Sequence, residues 1–336
     1  MATLSDVARL AGVSLSTASR ALNGSRDRVV KPELARRVLD ASRQLNYSPN
    51  AAAQAMARGH SNSIGLIVHD IRDPFFSSIA AGVMRSASER GYVVTLATTF
   101  HHRDALLPLI DTMRQQRAEA LILAGSLWDD PAYLTHLSAA LADFRSTTSA
   151  HISLISQSKL GFNSVTVKNR LGAQRLASAL WERGFTTAAI LSGQEQHITS
   201  AKRVQGFLRG FGGEIVAQVP SEFTREGGYQ AMKIALSLRP MPQLVFAVND
   251  VMAVGALAAA REAGVRIPQD MAVAGFDDIP TLSDVTPPLT TVRVPMEVLG
   301  EHAVELALMD PTPQPQVLSV STELIFREST AVVPSR

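Results

Sequence analysis

The first fifty residues alternate apolar and polar positions with the spacing of three short helices. Apolar positions recur three and four residues apart over residues 4–10, again over 15–22, and again after Pro32, which is the spacing of one buried helix face. Gly12 lies between the first two segments, where a tight turn between helices needs a residue that tolerates positive φ. Three short helices with a three-residue turn between the first two predict a helix-turn-helix domain.

Residues at the ends of these segments carry the side chains that helix ends require. Thr3 and Asp6 have the spacing of a capping box, in which a hydroxyl and a carboxyl group each accept a backbone N–H of the first turn. Ser14 is a favourable N-cap for the second helix, and Asn23-Gly24 is a typical helix end. The sequence therefore bounds the second helix on both sides.

In a helix-turn-helix, the second helix enters the major groove of DNA with its N-terminal end first. Leu15 and Ser16 are then expected over base edges, with Arg20 one turn further along the same face. Arg20 is suited to bidentate binding of guanine, although a phosphate contact or an intramolecular ion pair is an open alternative. The candidate phosphate contacts, which set register without reading sequence, are Ser14, Thr17 and Asn23.

An alanine-rich segment follows the helical region. Residues 51–59 come after Pro49-Asn50, so they combine an Asn cap, helix-forming alanines and a terminating glycine. A helix this short is marginal alone, because isolated helices need about 12–15 residues. We therefore expect a hinge that orders only when another molecule holds it; an ordinary flexible linker is the alternative.

From residue 63 onward, short apolar runs alternate with amphipathic helical segments. The runs lie at 64–68, 92–97, 121–124, 188–191, 243–247 and 271–275. Strands rich in β-branched residues that alternate with helices predict parallel, helix-covered sheets. We predict two doubly wound subdomains with a ligand cleft between them, at the carboxyl ends of the strands.

Polar side chains and aromatic rings follow several of these strands. Carboxylate, amide and guanidinium groups near a ring suit a polyol such as a sugar, because they hydrogen-bond hydroxyls while the ring covers the apolar face. The candidate effector-binding residues are Asp73, Phe75, Arg203, Phe223, Asn249 and Asp277. Asp70, Asp250 and Asp278 are expected instead to cap helices or form turns, the commoner role of a strand-end aspartate.

The charge of the chain is unevenly distributed. Residues 1–60 hold nine Lys and Arg against four Asp and Glu, a net charge of +5, which leaves 23 against 26, or −3, for the remainder. A basic end on a slightly acidic body fits a module that meets phosphate.

Several classes of protein are disfavoured by what the sequence lacks. The 336 residues contain no cysteine, which excludes disulfides and thiolate chemistry. No GxxxxGK[ST] phosphate loop, HExxH motif or GxSxG elbow occurs, so no enzyme activity, cofactor or metal site is expected, and His101-His102 is interpreted as a polar loop pair. Neither a secretory signal nor an apolar run of about 18 residues is found, so we expect a cytoplasmic protein with no membrane contact.

Long, ordered stretches of the chain resemble one family. Residues 4–24 and 45–50, LSDVARLAGVSLSTASRALNG and LNYSPN, are similar to the N-terminus of the lactose/galactose-repressor family of bacterial regulators. The matching segments of the body are 73–76, 248–253, 275–278 and 287–292, together with Arg203 and Gly206-Phe207. The resemblance covers nearly the whole chain.

This resemblance implies a fold and a set of roles. The fold is an N-terminal all-α helix-turn-helix domain plus an α/β periplasmic-binding-protein-like effector domain made of two doubly wound parallel-sheet subdomains. In relatives the positions of Arg203, Asn249 and Asp277 hold the effector, and an aromatic residue near Phe75 lines the pocket. Also in relatives, paired hinge helices from two subunits enter the minor groove at the operator centre and insert a leucine between base pairs. Met56 occupies the position of that leucine. The full set of expected DNA-binding residues is Thr3, Ser14, Leu15, Ser16, Thr17, Arg20, Asn23, Tyr47, Asn50, Ala53 and Met56.

The same resemblance gives the domain bounds. The helix-turn-helix domain is expected at 1–48, the hinge at 49–61 and the effector-binding and dimerisation domain at 62–336. The chain is expected to cross between subdomains near 158, 289 and 317. The N-subdomain then holds about 62–158 and 290–316, and the C-subdomain about 159–288 and 317–336.

Three positions depart from the family pattern. Lys31 stands where a Ser or Thr usually caps the third helix. Ser156 or Gln157 replaces an acidic residue at the end of the fourth strand, and Lys168-Asn169 replaces an Asp-Asn pair. The amine of Lys168 either favours an acidic or phosphorylated ligand or faces solvent, and we favour solvent.

We predict a DNA-binding transcription regulator, a repressor, that binds a pseudo-palindromic operator as a homodimer. Its small-molecule effector is predicted to be a sugar or sugar derivative; a nucleobase, a sugar phosphate or another acidic metabolite is the alternative. A solute-binding protein is a remote alternative, because it needs a signal peptide and no helix-turn-helix. A sugar-modifying enzyme is disfavoured by the missing catalytic motifs. Whether the effector releases or recruits DNA binding stays open.

Overall fold

The computed structural model of the chain describes residues 2–23, 30–48, 61–148, 150–156, 158–310 and 312–331. The chain divides into two compact units, Met1–Ser61 and Asn62–Arg336. The predicted helix end at Gly24 and the predicted hinge, with Asn50, Ala53 and Met56, lie outside the described residues.

The first unit contains three helices around a small apolar core. They are α1 (Leu4–Ala11), α2 (Leu15–Asn23) and α3 (Pro32–Gln44). The core is formed by the faces that the helical spacing predicted, and its buried members are Val7, Ala8, Ala11, Ala18, Val38 and Ala41. Lys31 is the N-cap of α3 and makes no side-chain capping hydrogen bond, so this departure from the family pattern weakens the cap and leaves the helix in place.

The turn between α1 and α2 depends on Gly12. Its φ of +64° is in the left-handed region, and its N–H donates to the carbonyl groups of Ala8 and Arg9. The capping box at the other end of α1 is confirmed, because the N–H of Thr3 donates to Asp6 at 3.0 Å and the N–H of Asp6 donates to Thr3 Oγ1 at 3.3 Å. Side chains therefore fix the start of α1, and the backbone N–H of Gly12 fixes its end.

The second unit alternates strands and helices. Its strands are β1 (Ser61–Val68), β2 (Val93–Thr98), β3 (Ala118–Ala124), β4 (His151–Ile155), β5 (Asn163–Val167), β6 (Thr187–Ser192), β7 (Glu214–Pro220), β8 (Leu244–Ala247), β9 (Ala272–Ala274), β10 (Thr291–Arg293), β11 (Val317–Val320) and β12 (Glu323–Ile325). Its helices are α4 (Pro74–Glu89), α5 (Leu106–Gln115), α6 (Pro131–Thr148), α7 (Asn169–Glu182), α8 (Ile198–Gly210), α9 (Arg225–Ser237), α10 (Asp250–Glu262) and α11 (Met296–Leu308). Short 3₁₀ turns lie at Arg103–Ala105, Ser158–Leu160, Pro280–Ser283 and Glu328–Thr330.

Two helix-covered sheets form two lobes. The first lobe contains a six-stranded sheet in the order β11-β5-β4-β3-β1-β2, and the second lobe a four-stranded sheet in the order β7-β6-β8-β9. Every pairing within the second sheet is parallel. The predicted fold class of two doubly wound parallel-sheet subdomains is confirmed.

The bounds of the two subdomains differ from the predicted ones. β5 pairs with β4 and β11 pairs with β5, so residues 163–167 and 317–320 belong to the first lobe, whereas the sequence assigned both segments to the second. The first crossing therefore lies beyond Val167 rather than near 158, and the third lies beyond Val320 rather than near 317. β10 and β12 form a separate antiparallel pair outside the two larger sheets.

None of the described helices is both long enough and apolar enough to cross a membrane.

Candidate functional site

The second helix of the first unit presents an exposed face. Leu15, at its first position, is 52% exposed although it is apolar. Ser16 is exposed beside it, while Ala18 on the opposite face is fully buried. These exposed residues lie at the N-terminal end of the second helix, which is the end that contacts base edges in a helix-turn-helix.

Hydroxyl groups surround the start of this helix. Ser14 Oγ accepts the N–H of Thr17 at 3.2 Å and lies 2.8 Å from Thr17 Oγ1 and 3.0 Å from Ser16 Oγ. The guanidinium of Arg20 folds back along the helix, where Nε donates to the Ser16 carbonyl at 2.9 Å and Nη2 to Ser16 Oγ at 3.2 Å. Arg20 therefore has no acidic partner among the described residues, and only its hydrogen bonds to Ser16 must break for it to reach a base.

The remaining described candidates for DNA contact have local roles. Thr3 caps α1. Asn23 is the last residue of α2. Tyr47 is half-buried against the core of this unit, and its carbonyl accepts the hydroxyl of Ser42 at 2.9 Å.

All six predicted effector-binding residues line one cavity of the second unit. The unfilled space of this cavity, counted with the part that opens to solvent, is about 650 Å³. Its lining residues follow the carboxyl ends of strands in both sheets: Asp73 comes after β1, Asn249 after β8 and Asp277 after β9. This is the location where ligands bind in open parallel sheets.

A buried ion pair forms the floor of the cavity. Arg203 and Asp277 are 3% and 4% exposed, and the guanidinium donates to both carboxylate oxygens, at 2.7 and 3.1 Å. Arg203 also donates to Asn169 Oδ1 and to the carbonyl of Val248, each at 2.8 Å. Burial raises the pKa of Asp277, and the positive charge of Arg203 opposes that rise. The guanidinium is thus held by three partners from three different segments.

Two other predicted residues serve as helix caps at the cavity wall. Asp73 accepts the N–H of Phe75 at 2.9 Å, and Asn249 accepts the N–H of Met252 at 2.9 Å. Each cap leaves further polar atoms for a ligand, namely the second carboxyl oxygen of Asp73 and the amide N–H₂ of Asn249. Burial, with smaller effects from nearby charges, raises the pKa of Asp73 to about 7.

Three histidines in the cavity wall were missed by the sequence analysis. His69, His101 and His197 all line the cavity, whereas the sequence identified His101 only as a loop residue. His69 directly follows β1, so the strand-end rule that found Asp73 applied to it as well. His197 precedes α8, and its ring stacks on Phe223 with centroids 4.3 Å apart and planes 25° apart.

The three aspartates expected to cap helices or form turns have different roles. Asp70 forms the expected turn, because it accepts the N–H of Arg72 at 2.9 Å. Asp250 caps no helix: it is fully buried and accepts the Ile279 N–H and the Thr291 hydroxyl, so it ties two segments together. Asp278 likewise pairs with Arg293 and Arg327, at 2.7 and 2.8 Å, instead of capping.

Hydrogen bonds close one side of the cavity by joining the two lobes. The segment after β3 and the segment before α8 form an antiparallel bridge at Trp128 and His197. The N–H of Asp129 donates to Gln196 at 2.8 Å and that of Ile198 donates to Leu127 at 3.2 Å. The two lobes are therefore held together beside the cavity.

The positions of the second unit that depart from the family pattern differ in whether they line the cavity. Ser156 lines it, and its buried hydroxyl has no hydrogen-bond partner among the described residues. Lys168 is exposed and is absent from the cavity lining, as the preferred interpretation held. Gln157 lies outside the described residues.

Comparison with known proteins gives consistent matches over the whole chain. Residues 3–50 match the model of bacterial regulatory proteins of the lacI family, and residues 177–330 match a periplasmic binding protein-like domain. The HTH-type transcriptional repressor PurR of Escherichia coli O1:K1 is 32% identical over 100% of this chain and 99% of its own length.

Two solved structures are similar over nearly the full chain. The Lac repressor bound to ONPG in the repressed state gives a TM-score of 0.84 at 25% identity, over 98% of this chain and 99% of that one. The complex of the transcriptional regulator CelR with cellobiose gives a TM-score of 0.68 at 27% identity, over 98% and 100% of the two chains.

Proposed function

The chain belongs to the lacI family of bacterial regulatory proteins, and we propose that it is a transcriptional repressor whose binding to operator DNA is controlled by a small-molecule effector. One observation carries this proposal: the same chain contains a helix-turn-helix with an exposed second helix and a unit with a polar cavity at the carboxyl ends of two sheets. Its relatives are transcriptional repressors, so the chain is a regulator and not an enzyme. Action on operator DNA implies a cytoplasmic location.

The second helix reads the operator in this proposal. Leu15 makes apolar contact with a base, Ser16 tolerates several bases, and Arg20 leaves Ser16 to bind guanine. The phosphate contacts, which fix the register of the protein on DNA, are Ser14, Thr17 and Asn23. The further DNA-contacting residues are Thr3, Tyr47, Asn50 and Ala53.

The operator is a pseudo-palindrome bound by a homodimer. Paired recognition helices match two half-sites one or more helical turns apart. A structural relative is described as a Lac repressor dimer bound to operator, which supports this stoichiometry. At the operator centre, Met56 from each hinge wedges between base pairs, because apolar wedges including methionine unstack a base step.

The effector binds in the cavity of the second unit. Its proposed contacts are Asp73, Phe75, Arg203, Phe223, Asn249 and Asp277. We propose a sugar or sugar derivative, since the cavity combines carboxylate and amide groups with aromatic rings and a relative binds cellobiose. A nucleobase is the second candidate, because six aromatic or imidazole rings line the cavity: Phe75, Phe76, Phe223, His69, His101 and His197.

A solute-binding protein is the remaining alternative, and the helix-turn-helix argues against it. Residues 3–50 match a DNA-binding family model along their whole length. A transport receptor has no use for such a module, so the regulator accounts for more of the chain.

A gel-retardation experiment with DNA from the region around its own gene tests the proposal. We expect a discrete complex whose affinity falls linearly on a log–log plot against salt, because phosphate contacts release counterions. Arg20→Ala should weaken operator binding about 10- to 100-fold, the value of one lost bidentate base contact. Arg9→Ala is the matched control, since Arg9 pairs with Asp6 on α1 and not on the reading helix. If the wild type and both variants retarded every DNA fragment equally, the proposal would be contradicted.

A further inference from the structure

Three imidazole rings line the cavity, those of His69, His101 and His197. We call this group the histidine wall. The rings of His69 and His101 are stacked, with centroids 5.6 Å apart and planes 22° apart. The loop that carries His101 is strained: Phe100 and His101 have φ values of +49° and +62°. Non-glycine residues adopt this region at a cost, and such residues cluster at ligand sites.

The hydrogen bonds of these rings determine which nitrogens are available. Both nitrogens of His69 are used, because Nδ1 lies 3.2 Å from the Thr99 hydroxyl and Nε2 lies 3.2 Å from the Ser126 carbonyl. Nδ1 of His197 accepts the N–H of Ser200 at 3.4 Å, so the proton of the neutral ring is on Nε2. Nε2 of His197 and both nitrogens of His101 have no partner among the described residues.

The histidine wall is uncharged. Burial is the main cause that lowers the pKa of His69 to about 4 and that of His197 to about 3, and burial also lowers the pKa of His101. Among the described residues that line the cavity, Arg203 is the single permanent cation, and it is neutralised by Asp277. An anionic ligand would enter a buried space without a free positive charge, which costs desolvation energy with no ion pair in return.

Metal binding does not explain the three imidazoles. The described part of the chain contains no group of three or more His, Cys, Asp or Glu side chains arranged to hold a metal ion. The free nitrogens are therefore left for hydrogen bonds to an organic ligand.

We propose that His101 and His197 are specificity-determining residues of the effector cavity, which hydrogen-bond an uncharged ligand through its acceptor atoms and discriminate against its phosphorylated or acidic forms. His197 donates Nε2–H to an oxygen or ring nitrogen of the ligand while its ring stays stacked on Phe223. His101 offers one donor and one acceptor. His69, whose two nitrogens already have partners, is a positioning residue that supports the ring of His101. This inference rests on the proposed function and restricts its effector to an uncharged compound.

Paired probes test the charge requirement. Free sugars are screened with their phosphates and sugar acids, and free nucleobases with their 5′-monophosphates, by thermal shift of the full-length protein. A ligand that binds the folded state raises the apparent stability. We expect the uncharged member of one pair to shift Tm and its anionic partner to give at least a tenfold smaller affinity by calorimetry.

Variants test the two residues with the best uncharged probe. His197→Gln keeps a polar side chain but moves its donor, and His101→Asn suits the left-handed backbone while it withdraws the ring. Each should weaken binding of the probe about tenfold, the effect of one lost hydrogen bond to a buried partner. His102→Asn is the matched control, because His102 is the chain neighbour of His101 but lies outside the cavity lining, and it should bind the probe like the wild type.

The outcomes separate this inference from the proposed function. Tighter binding of an anionic partner, or unchanged binding in both variants, overturns the role of the histidine wall. No shift with any probe also overturns the ligand class proposed here, while retained operator binding would leave the repressor standing. If the wild-type protein bound no operator DNA, the proposed function itself would be overturned.

Discussion

At the scale of single residues, the buried carboxyl group of Asp250 gives the protein an unusual pH dependence. Burial, together with the charge of Asp277, raises its pKa to about 8. The folded protein therefore keeps this group protonated up to about pH 8, whereas in the unfolded chain it ionises near its ordinary value of 3.8. Its contribution to the free energy of unfolding is complete below about pH 4 and is lost as the pH rises towards 8.

Asp250→Asn should remove this dependence. The amide is a neutral analogue of the protonated carboxyl. Its oxygen can still accept the N–H of Ile279, and its N–H₂ can donate to the oxygen of the Thr291 hydroxyl, which donates to Asp250 in the wild type. Urea unfolding from pH 5 to pH 9 should show the variant gaining stability relative to the wild type as the pH rises.

Asp270→Asn is the control for that series. The hydrogen bonds and charge of Arg266 lower the pKa of half-buried Asp270 to about 2, so Asp270 is ionised in both states over this range and the difference from wild type should be flat. A difference curve for Asp250→Asn that is equally flat would show that Asp250 is ionised in the folded protein.

The same residues show where sequence reasoning works and where it fails. A strand-end position brings Asp73, Asn249 and Asp277 to the cavity, whereas Arg203 reaches the same cavity from within α8. The role of each group depends on partners distant in the chain. Asp250 is paired with Thr291, 41 residues away, and Arg203 with Asp277, 74 residues away, and no local pattern contains that information.

At the scale of elements, the geometry of the helix-turn-helix depends on a contact between its first turn and its third helix. The guanidinium of Arg37 on α3 donates to the Ala11 carbonyl at 2.5 Å, beside the left-handed Gly12. A Cβ atom at Gly12 would lie 2.6 Å from Nη2 of Arg37. Both the backbone conformation and the space therefore require glycine.

Gly12→Ala should destabilise the three-helix unit by about 1–2 kcal/mol or more, the cost of a left-handed non-glycine residue plus the displaced contact. Operator affinity should fall while binding of the effector probe persists, since the cavity is formed by the other unit. Gly91→Ala is the control for a strained residue in the other unit, because Gly91 has φ +78° with no atom within 4 Å of the added Cβ. It should leave operator affinity unchanged. Equal losses of operator affinity in the two variants would contradict the assigned role of the turn.

Element types were predictable, but sheet membership was less so. Apolar runs identified the central strands such as β1 and β3, in which most residues are buried. β5 and β11 are short, and their burial alternates or is partial, so their patterns resemble loops. Their membership in the first sheet results from pairing between residues 153 positions apart, such as Ser164 with Val317. The two subdomain bounds were wrong for this reason.

At the scale of the whole molecule, the proposal requires that a ligand in one unit alters DNA binding by another. The cavity is lined by both lobes, and the bridge between Trp128 and His197 joins them beside it. A ligand can shift the equilibrium between two arrangements of the lobes only by the difference in its affinity for them. The uneven charge, +5 at the N-terminal end and −3 elsewhere, keeps the attraction for phosphate at the DNA-binding end.

Fluorescence anisotropy of labelled operator, titrated with the full-length protein with and without the best uncharged probe, tests this coupling most directly. We expect the probe to change operator affinity about 5- to 150-fold, and operator to change probe affinity by the same factor, because coupling between two binding sites is reciprocal. Arg203→Met, which removes the cation from the cavity floor, should abolish the change while operator affinity in the absence of probe remains. Superimposable titrations with and without a saturating probe would contradict the central claim that this protein is a ligand-controlled repressor.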